Sequence, residues 1–514
     1  MSADPNAARL VVPDPAIATA HMKISRAHWA VRQFGKANRV TVLKVAEAVA
    51  RAAHVKAGHY ADWAVRETGF GVVEHKKLKN ELSTLPLLDY YRDLDLVSAR
   101  ILPDTKMVEL AKPAGVIFAL TPATNPIATL YYKAMLAILS RNAIVFSPHP
   151  AARECSLDAA KTLADAAESA GAPAGLIQCV EDPSVPLVQE IMASDKVAVI
   201  MATGGGAMVR AAYSSGNPAM GVGPGNAVAY VDPTAKVDAT AKRLVDSKSF
   251  DNSVLCTNES VVLTLDANRG NMERALRSAG AHLCNASDTD KLRDYLFTDH
   301  GFNVAAVGKS ATWIADKAGI RVSPSARILV PVITAPGQDD KLFQEKLCPV
   351  LTLASAVDFR QAMTIAAQIL KRGGGHSAAF HGEAPDRLLQ FADMLPVYRV
   401  VVNAPCSQGA AGFATHLPPS FMIGTGFAGR SSVGENVGPQ HLVHWTRIAY
   451  NSDASVPFEN FDLSALDSKQ PNQPANLHVA SRAPVAPNGL PDSDRDMLRQ
   501  LILEELRGLT GGQK

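Results

Sequence analysis

The sequence has no long hydrophobic run, no paired-cysteine motif and no excess of one charge. Without a stretch approaching the ~20 apolar residues of a spanning helix, it offers no candidate membrane segment. Fifty-one Lys and Arg face 49 Asp and Glu, a net charge of +2. That balance gives no reason to expect nucleic acid or an anionic surface as partner. The six cysteines, Cys155, Cys179, Cys256, Cys284, Cys348 and Cys406, include no CxxC pair and no Cys/His spacing suited to zinc, so no metal site is expected. Met1 to Pro15 places Asp4, Pro5 and Pro13 where a secretory leader carries a basic start and an apolar run. The expectation is a cytoplasmic chain with reduced thiols. What is present is 514 residues, 47% of them hydrophobic. That is too apolar for a disordered chain and enough for two to four domains at roughly 150 residues each.

Residues 17–100 carry apolar positions at helical spacing, such as Val42, Val45, Ala46, Val49 and Ala53. From Pro113 short β-branched runs alternate with longer amphipathic ones. Strands are predicted at Val116–Leu120, Ala143–Phe146, Leu176–Val180, Val197–Met201 and Ala227–Val231, with helices between. Helical connections of this length imply parallel, doubly wound sheets rather than hairpins. A second series follows a helix at Ala235–Phe250, with strands at Ser260–Leu263, Val304–Val307, Ile328–Val330, Val350–Ala354, Ser377–Phe380 and Val400–Val402. The expected fold is α/β with two Rossmann-like domains, at 1–232 and 233–432, and a strand-like return segment at 433–467.

Cys256 lies in Phe250-Asp251-Asn252-Ser253-Val254-Leu255-Cys256-Thr257-Asn258-Glu259, a turn-prone stretch between a helix and a β-branched strand. A nucleophilic thiol needs such a partly exposed loop near backbone N–H groups. Cys348 and Cys406, also in loops, compete for the role on position alone. The other three read as packing residues. Gly204-Gly205-Gly206 follows a strand and opens a helix, as a pyrophosphate cradle would, though the spacing is not GxGxxG and, taken alone, an ordinary Gly-rich connection is the better reading. Taken alone, Asn125 before Pro126 reads as a helix N-cap, and Glu345 as a solvated helix residue.

In order along the chain, however, these stretches resemble the aldehyde dehydrogenase superfamily, in particular its CoA-acylating branch, over roughly residues 20–450. The resemblance runs through Thr121-Pro122-Ala123-Thr124-Asn125-Pro126, then Arg141 to Pro150 with Ser147-Pro148-His149-Pro150, then Ala202-Thr203-Gly204-Gly205-Gly206. It continues through the Cys256 loop, Glu345-Lys346-Leu347-Cys348-Pro349-Val350 and Gly434-Glu435-Asn436-Val437-Gly438-Pro439. It implies an aldehyde dehydrogenase-like fold, with Cys256 as nucleophile and Asn125 as oxyanion donor. Thr121, Pro122, Ser147, His149, Thr203, Gly204, Gly205, Gly206, Gly223 and Glu345 would form the cofactor site. NAD is the expected cofactor and NADP use stays open, because Ser147-Pro148-His149-Pro150 lacks the acidic residue that would exclude a 2′-phosphate and no Arg replaces it.

Hydrolytic members of that family carry a glutamate that activates water, and here Gly221 of Gly221-Val222-Gly223-Pro224-Gly225-Asn226 takes its place. Without that base, water attack on a thioester is slow by ~10²–10⁴-fold. Coenzyme A is therefore the expected acyl acceptor and a short-chain aldehyde, propionaldehyde or acetaldehyde, the expected substrate. A hydrolytic dehydrogenase and an inactive scaffold are the alternatives. By the same resemblance a homodimer or homotetramer is expected, through the segment at 433–467. After it comes a Pro-rich linker at 468–492, then a predicted amphipathic helix at 493–509 with Leu498, Leu501, Ile502, Leu506 and Leu509 on one stripe. This tail resembles the encapsulation peptides of bacterial microcompartment enzymes and implies recruitment to a shell or to co-cargo.

Overall fold

The computed structural model describes residues 15–299, 301–333, 340–463 and 466; the expected linker and helix at 468–509 lie outside them. Five helices open the described chain. The second, Arg39–Val55, begins where the Asn38 side chain accepts the Thr41 N–H at 2.9 Å. It buries Val42, Val45, Ala46, Val49 and Ala53, the stripe read from spacing.

A five-stranded parallel sheet follows, in the order Ile177–Cys179, Ala143–Pro148, Val116–Thr121, Val197–Thr203, Ala219–Val222. Val116–Thr121 is buried along its whole length because helices cover both faces. The helix leaving it, Pro126–Leu139, is buried at every position, Lys133 included. Strand order reverses between Val116–Thr121 and Val197–Thr203, and ligands of such sheets bind outside the carboxyl ends at that point.

A second, seven-stranded parallel sheet runs Ala281–Cys284, Ile328–Ile333, Thr352–Ala356, Glu259–Leu265, Ala227–Val231, Ala378–His381, Val400–Val402. Two expectations are corrected here. Ala227–Val231, assigned above to the first unit, pairs with Glu259–Leu265 and Ala378–His381 in the second. The last strand of the first sheet is instead Ala219–Val222. Only Gly223-Pro224-Gly225-Asn226 separates the two, too short for the crossover a parallel neighbour requires, so the chain passes into the other sheet. Val304–Val307 is not a strand. Asn303 accepts the Ala305 N–H at 3.1 Å and starts a single 3₁₀ turn, Val304–Ala306.

The return strand Val443–Ala449 pairs antiparallel with Met107–Pro113, which in turn pairs with Arg100–Leu102. The Arg100 guanidinium lies 3.9 Å from the Trp445 ring centre. Among the described residues no helix is long and apolar enough to cross a membrane.

Candidate active site

The loop bearing Cys256 joins helix Val237–Ser249 to the central strand Glu259–Leu265. It begins with three consecutive non-glycine residues in the left-handed region, Asp251 (φ 51°), Asn252 (φ 49°) and Ser253 (φ 66°). Such residues cost of order 1–3 kcal/mol each and persist only where surroundings over-determine them. Here the surroundings are the helix Val73–Leu82, the residue before it, and the Gly308 carbonyl. The fully buried Asp251 carboxylate accepts the Val72 N–H at 2.7 Å and the Lys76 ammonium at 3.1 Å, and it also binds Lys79. The Asp251 N–H donates to His75 Nδ1 at 2.9 Å, and the His75 ring lies 4.6 Å from that of Phe250. Burial lowers His75, which keeps that acceptor nitrogen unprotonated. Asn252 Nδ2 donates to the Gly308 carbonyl at 2.9 Å. Burial opposes charge on Asp251, but the Lys79 and Lys76 cations prevail and hold its carboxyl below the ordinary range. Sequence reasoning missed His75, Lys76, Lys79 and Asp251. Read locally, His75-Lys76-Lys77 and Lys79 form a solvated helix face, and only the tertiary fold buries Lys76 and Lys79.

Cys256 is half-buried, whereas the other five cysteines are buried. That distinguishes it from Cys348 and Cys406. Gly225 packs on its backbone so closely that a side chain there would collide with the Cys256 carbonyl. Burial, and next the Glu345 carboxylate, push the thiol up to about 12, while Arg399, the Cys256 N–H and Lys79 pull it down. Glu345 is itself pushed up to about 8 by burial, against the Gly225 N–H at 3.0 Å and Lys248 and Lys346. At neutral pH it is therefore mostly uncharged, and much of its push on the thiol is absent.

A folded value above the unfolded one means stability that is full below about pH 4.5 and lost as pH rises through about 8. Glu345→Gln, neutral throughout, is expected to lose less thermal stability than the parent between pH 5 and pH 9. Thermal melts at several pH values check it, and parallel curves would refute it.

Asn125 precedes helix Pro126–Leu139 but makes no side-chain cap. Its Nδ2 donates instead to the Val254 carbonyl at 2.8 Å, and its Oδ1 accepts from Lys79. It therefore faces the Cys256 loop from the carboxyl end of the first sheet.

The residues expected to hold a dinucleotide gather at the switch point. Thr121 and Thr203 end the two strands flanking it, and both hydroxyls are enclosed without a partner among the described residues. Lys133 lies between them, donating to the Leu120 and Met201 carbonyls at 2.8 and 2.9 Å. Gly205 caps helix Gly206–Tyr213, and the space where side chains at Gly204 and Gly223 would stand is nearly or wholly open. Ser147 is buried at the end of the adjacent strand, with His149 just beyond. His149 Nδ1 accepts the Ala151 N–H at 3.1 Å. Pro122 is half-buried next to Thr121. Orphaned hydroxyls and an open glycine turn at a helix start fit a dinucleotide phosphate.

His376, also missed, follows Gly373-Gly374-Gly375. It is fully buried, its Nε2 has no partner among the described residues, and burial with nearby Arg399 pushes it down to about 3. Arg399 donates to the His376, Gly424 and Gly434 carbonyls at 2.6, 2.8 and 2.6 Å. The glycine run before His376 was the available signal. At Gly221 a β-carbon would lie 2.6 Å from Val209 Cγ1 and 2.8 Å from the Tyr213 ring, so the position has no room for a carboxylate side chain.

Residues 11–290 match the Aldehyde dehydrogenase family. The aldehyde-alcohol dehydrogenase of Clostridium acetobutylicum is 37% identical over 75% of this chain and 45% of its own. The sulfoacetaldehyde dehydrogenase (acylating) of Cupriavidus necator is 36% identical over 88% of this chain and 94% of its own. The chain thus spans about half the length of the first curated relatives it matches. Among solved structures, the acetylating aldehyde dehydrogenase of Geobacillus thermoglucosidasius superposes with a TM-score of 0.83 at 34% identity, covering 86% of this chain and 98% of that one. A propionaldehyde dehydrogenase from the fucose-utilisation microcompartment of Clostridium phytofermentans gives 0.78 at 26% identity, covering 85% and 98%. With a half-buried cysteine on a strained turn, an open glycine cradle at the switch point and these relatives, the chain belongs to the aldehyde dehydrogenase family.

Proposed function

We propose that the protein oxidises a short-chain aldehyde and passes the acyl group to coenzyme A, using NAD or NADP. The observation that carries this reading is Gly221. The family's hydrolytic base is missing there, and neighbouring Val209 and Tyr213 fill the space it would need. In this reading the Cys256 thiolate adds to the carbonyl carbon, and the oxyanion takes a hydrogen bond from Asn125 Nδ2 and from the Cys256 N–H. Loss of hydride from this adduct leaves an acyl thioester on Cys256, and the nicotinamide supplies the hydride acceptor when bound. Thr121, Pro122, Ser147, His149, Thr203, Gly204, Gly205, Gly206 and Gly223 hold the dinucleotide, and Glu345 binds its ribose. A thiol then displaces Cys256, which water without a base does slowly.

The relatives named acylating and acetylating support transfer to a thiol. Propionaldehyde or acetaldehyde is the substrate of choice in this reading. The microcompartment relative supports encapsulation; residues 493–509 would then recruit the protein to a shell or to co-cargo. A homodimer or homotetramer would form through the strand pairing around Val443–Ala449.

The test is a panel of aldehydes with NAD or NADP, each with and without coenzyme A. Steady-state NADH formation is expected to rise about 100-fold or more with coenzyme A and to release acyl-CoA. Equal rates with free acid as product would refute the reading.

A further inference from the structure

Helix Val73–Leu82 lies outside both sheets, yet it holds the two loops that meet at the active site. Lys76 donates to the Thr124 carbonyl at 2.7 Å and to Asp251 at 3.1 Å. Lys79 binds both Asn125 Oδ1 and Asp251 Oδ2. Both lysines are nearly fully buried, at 3% and 2% exposure. A buried ammonium is costly unless paired and hydrogen-bonded, and a spot needing only shape would be filled better by an apolar side chain.

The chemistry at Asn125 gives Lys79 a task. The two ends of an amide are nearly the same size, so sterics alone do not choose which faces the nucleophile. Burial draws Lys79 down to about 7, and the Asp251 carboxylate it binds opposes that and favours the ammonium; an ammonium only donates, and a carbonyl only accepts. With Oδ1 toward Lys79 and Nδ2 toward the Val254 carbonyl, every contact is matched. With the amide flipped, two donors meet on one side and two acceptors on the other. Asp251 in turn fixes Lys79, so the carboxylate that stabilises the strained turn also sets the donor facing it. Donation to Oδ1 polarises the amide and strengthens its N–H groups as donors. The second N–H of Asn125 takes no partner among the described residues and remains for a developing oxyanion.

We propose that Lys79 is a positioning residue that holds the Asn125 amide with its N–H edge toward the Cys256 loop. This inference rests on the functional reading above for what Asn125 does, but not for the contact itself.

The test is a double-mutant cycle on the full chain with Lys79→Met, Asn125→Ala and the pair, measuring kcat and KM for aldehyde with coenzyme A. Lys79→Met is expected to lower kcat about 10- to 100-fold, below the ~10²–10³-fold typical for removing an oxyanion donor. KM should stay within about threefold. The pair should be no slower than Asn125→Ala alone, because Lys79 acts only through that amide. Losses that multiply, or a Lys79→Met enzyme with parental kcat, overturn the proposal. Should Lys79→Met fail to fold because Asp251 is stranded, the same cycle is run on an Asp251→Asn background with that variant as reference. The cycle is also read on the rate at which iodoacetamide alkylates Cys256, which needs no turnover. A parent that oxidises no aldehyde would refute the functional reading and leave the alkylation cycle to decide this one.

Discussion

Replacing Cys256 with alanine is expected to reduce aldehyde-dependent NADH formation by at least about 10⁴-fold while the protein stays folded. Losing a covalent nucleophile removes the pathway rather than weakening one contact, and single-residue losses of this kind reach ~10⁴–10⁶-fold. The fold should tolerate the change. Cys256 is half-buried, makes no disulfide, and exchanges one sulfur atom for open space. The conformation of its loop is set by Asp251, Asn252 and their partners, not by the thiol. The measurement pairs initial rates with urea denaturation. An active Cys256→Ala enzyme would transfer the role to another group and overturn the mechanism. An unfolded one would show that the residue is structural.

Asp251→Asn is the second large effect, on stability first. In the parent, one buried carboxylate faces Lys76 and Lys79. The amide leaves two buried lysines without an anion, and breaking such a pairing typically costs ~3–5 kcal/mol; burial, which draws Lys79 down to about 7 even beside Asp251, then favours its neutral amine. It also weakens the anchor of three left-handed residues, so activity should fall beyond what the lower stability explains. The pH dependence has a definite sign. A carboxyl held below its unfolded value stabilises at pH above about 4, the unfolded range, and that contribution is lost as pH falls through the lower folded value. The gap between parent and variant should therefore be full at neutral pH and close in acid. Urea denaturation at pH 7 and pH 3 measures both ends. A variant within 1 kcal/mol of the parent at pH 7 would mean that solvent reaches the lysines.

The two effects separate what each residue contributes. In the proposed mechanism Cys256 supplies a reacting atom and little stability. Asp251 supplies stability and geometry, and no reacting atom. Lys79 stands between them, touching Asp251 on one side and Asn125 on the other.

Local pattern was enough for much of this protein. Alternating β-branched runs and amphipathic segments specify parallel sheets, because each strand must bury both faces and each connection is long enough for a helix. No short motif alone singled out Asn125 or the Gly204–Gly206 turn, and Cys256 competed with two other loop cysteines; their order along the chain, through the family resemblance, marked all three as candidates. Non-local contacts were not legible. Ala227–Val231 looks the same whichever sheet it joins, and only pairing with Glu259–Leu265 and Ala378–His381 decides. Asn125 before proline has the signature of a helix cap, and its amide turns away only because Lys79 and the Val254 carbonyl attract it more strongly. Lys76 and Lys79 have the local pattern of a solvated face, and they are buried because Asp251, some 170 positions later, folds against them. The sequence by itself determined the order of strands and helices and, through the family resemblance, the candidate groups; tertiary structure decided which are buried, paired and aimed, because burial and pairing belong to contacts between distant segments.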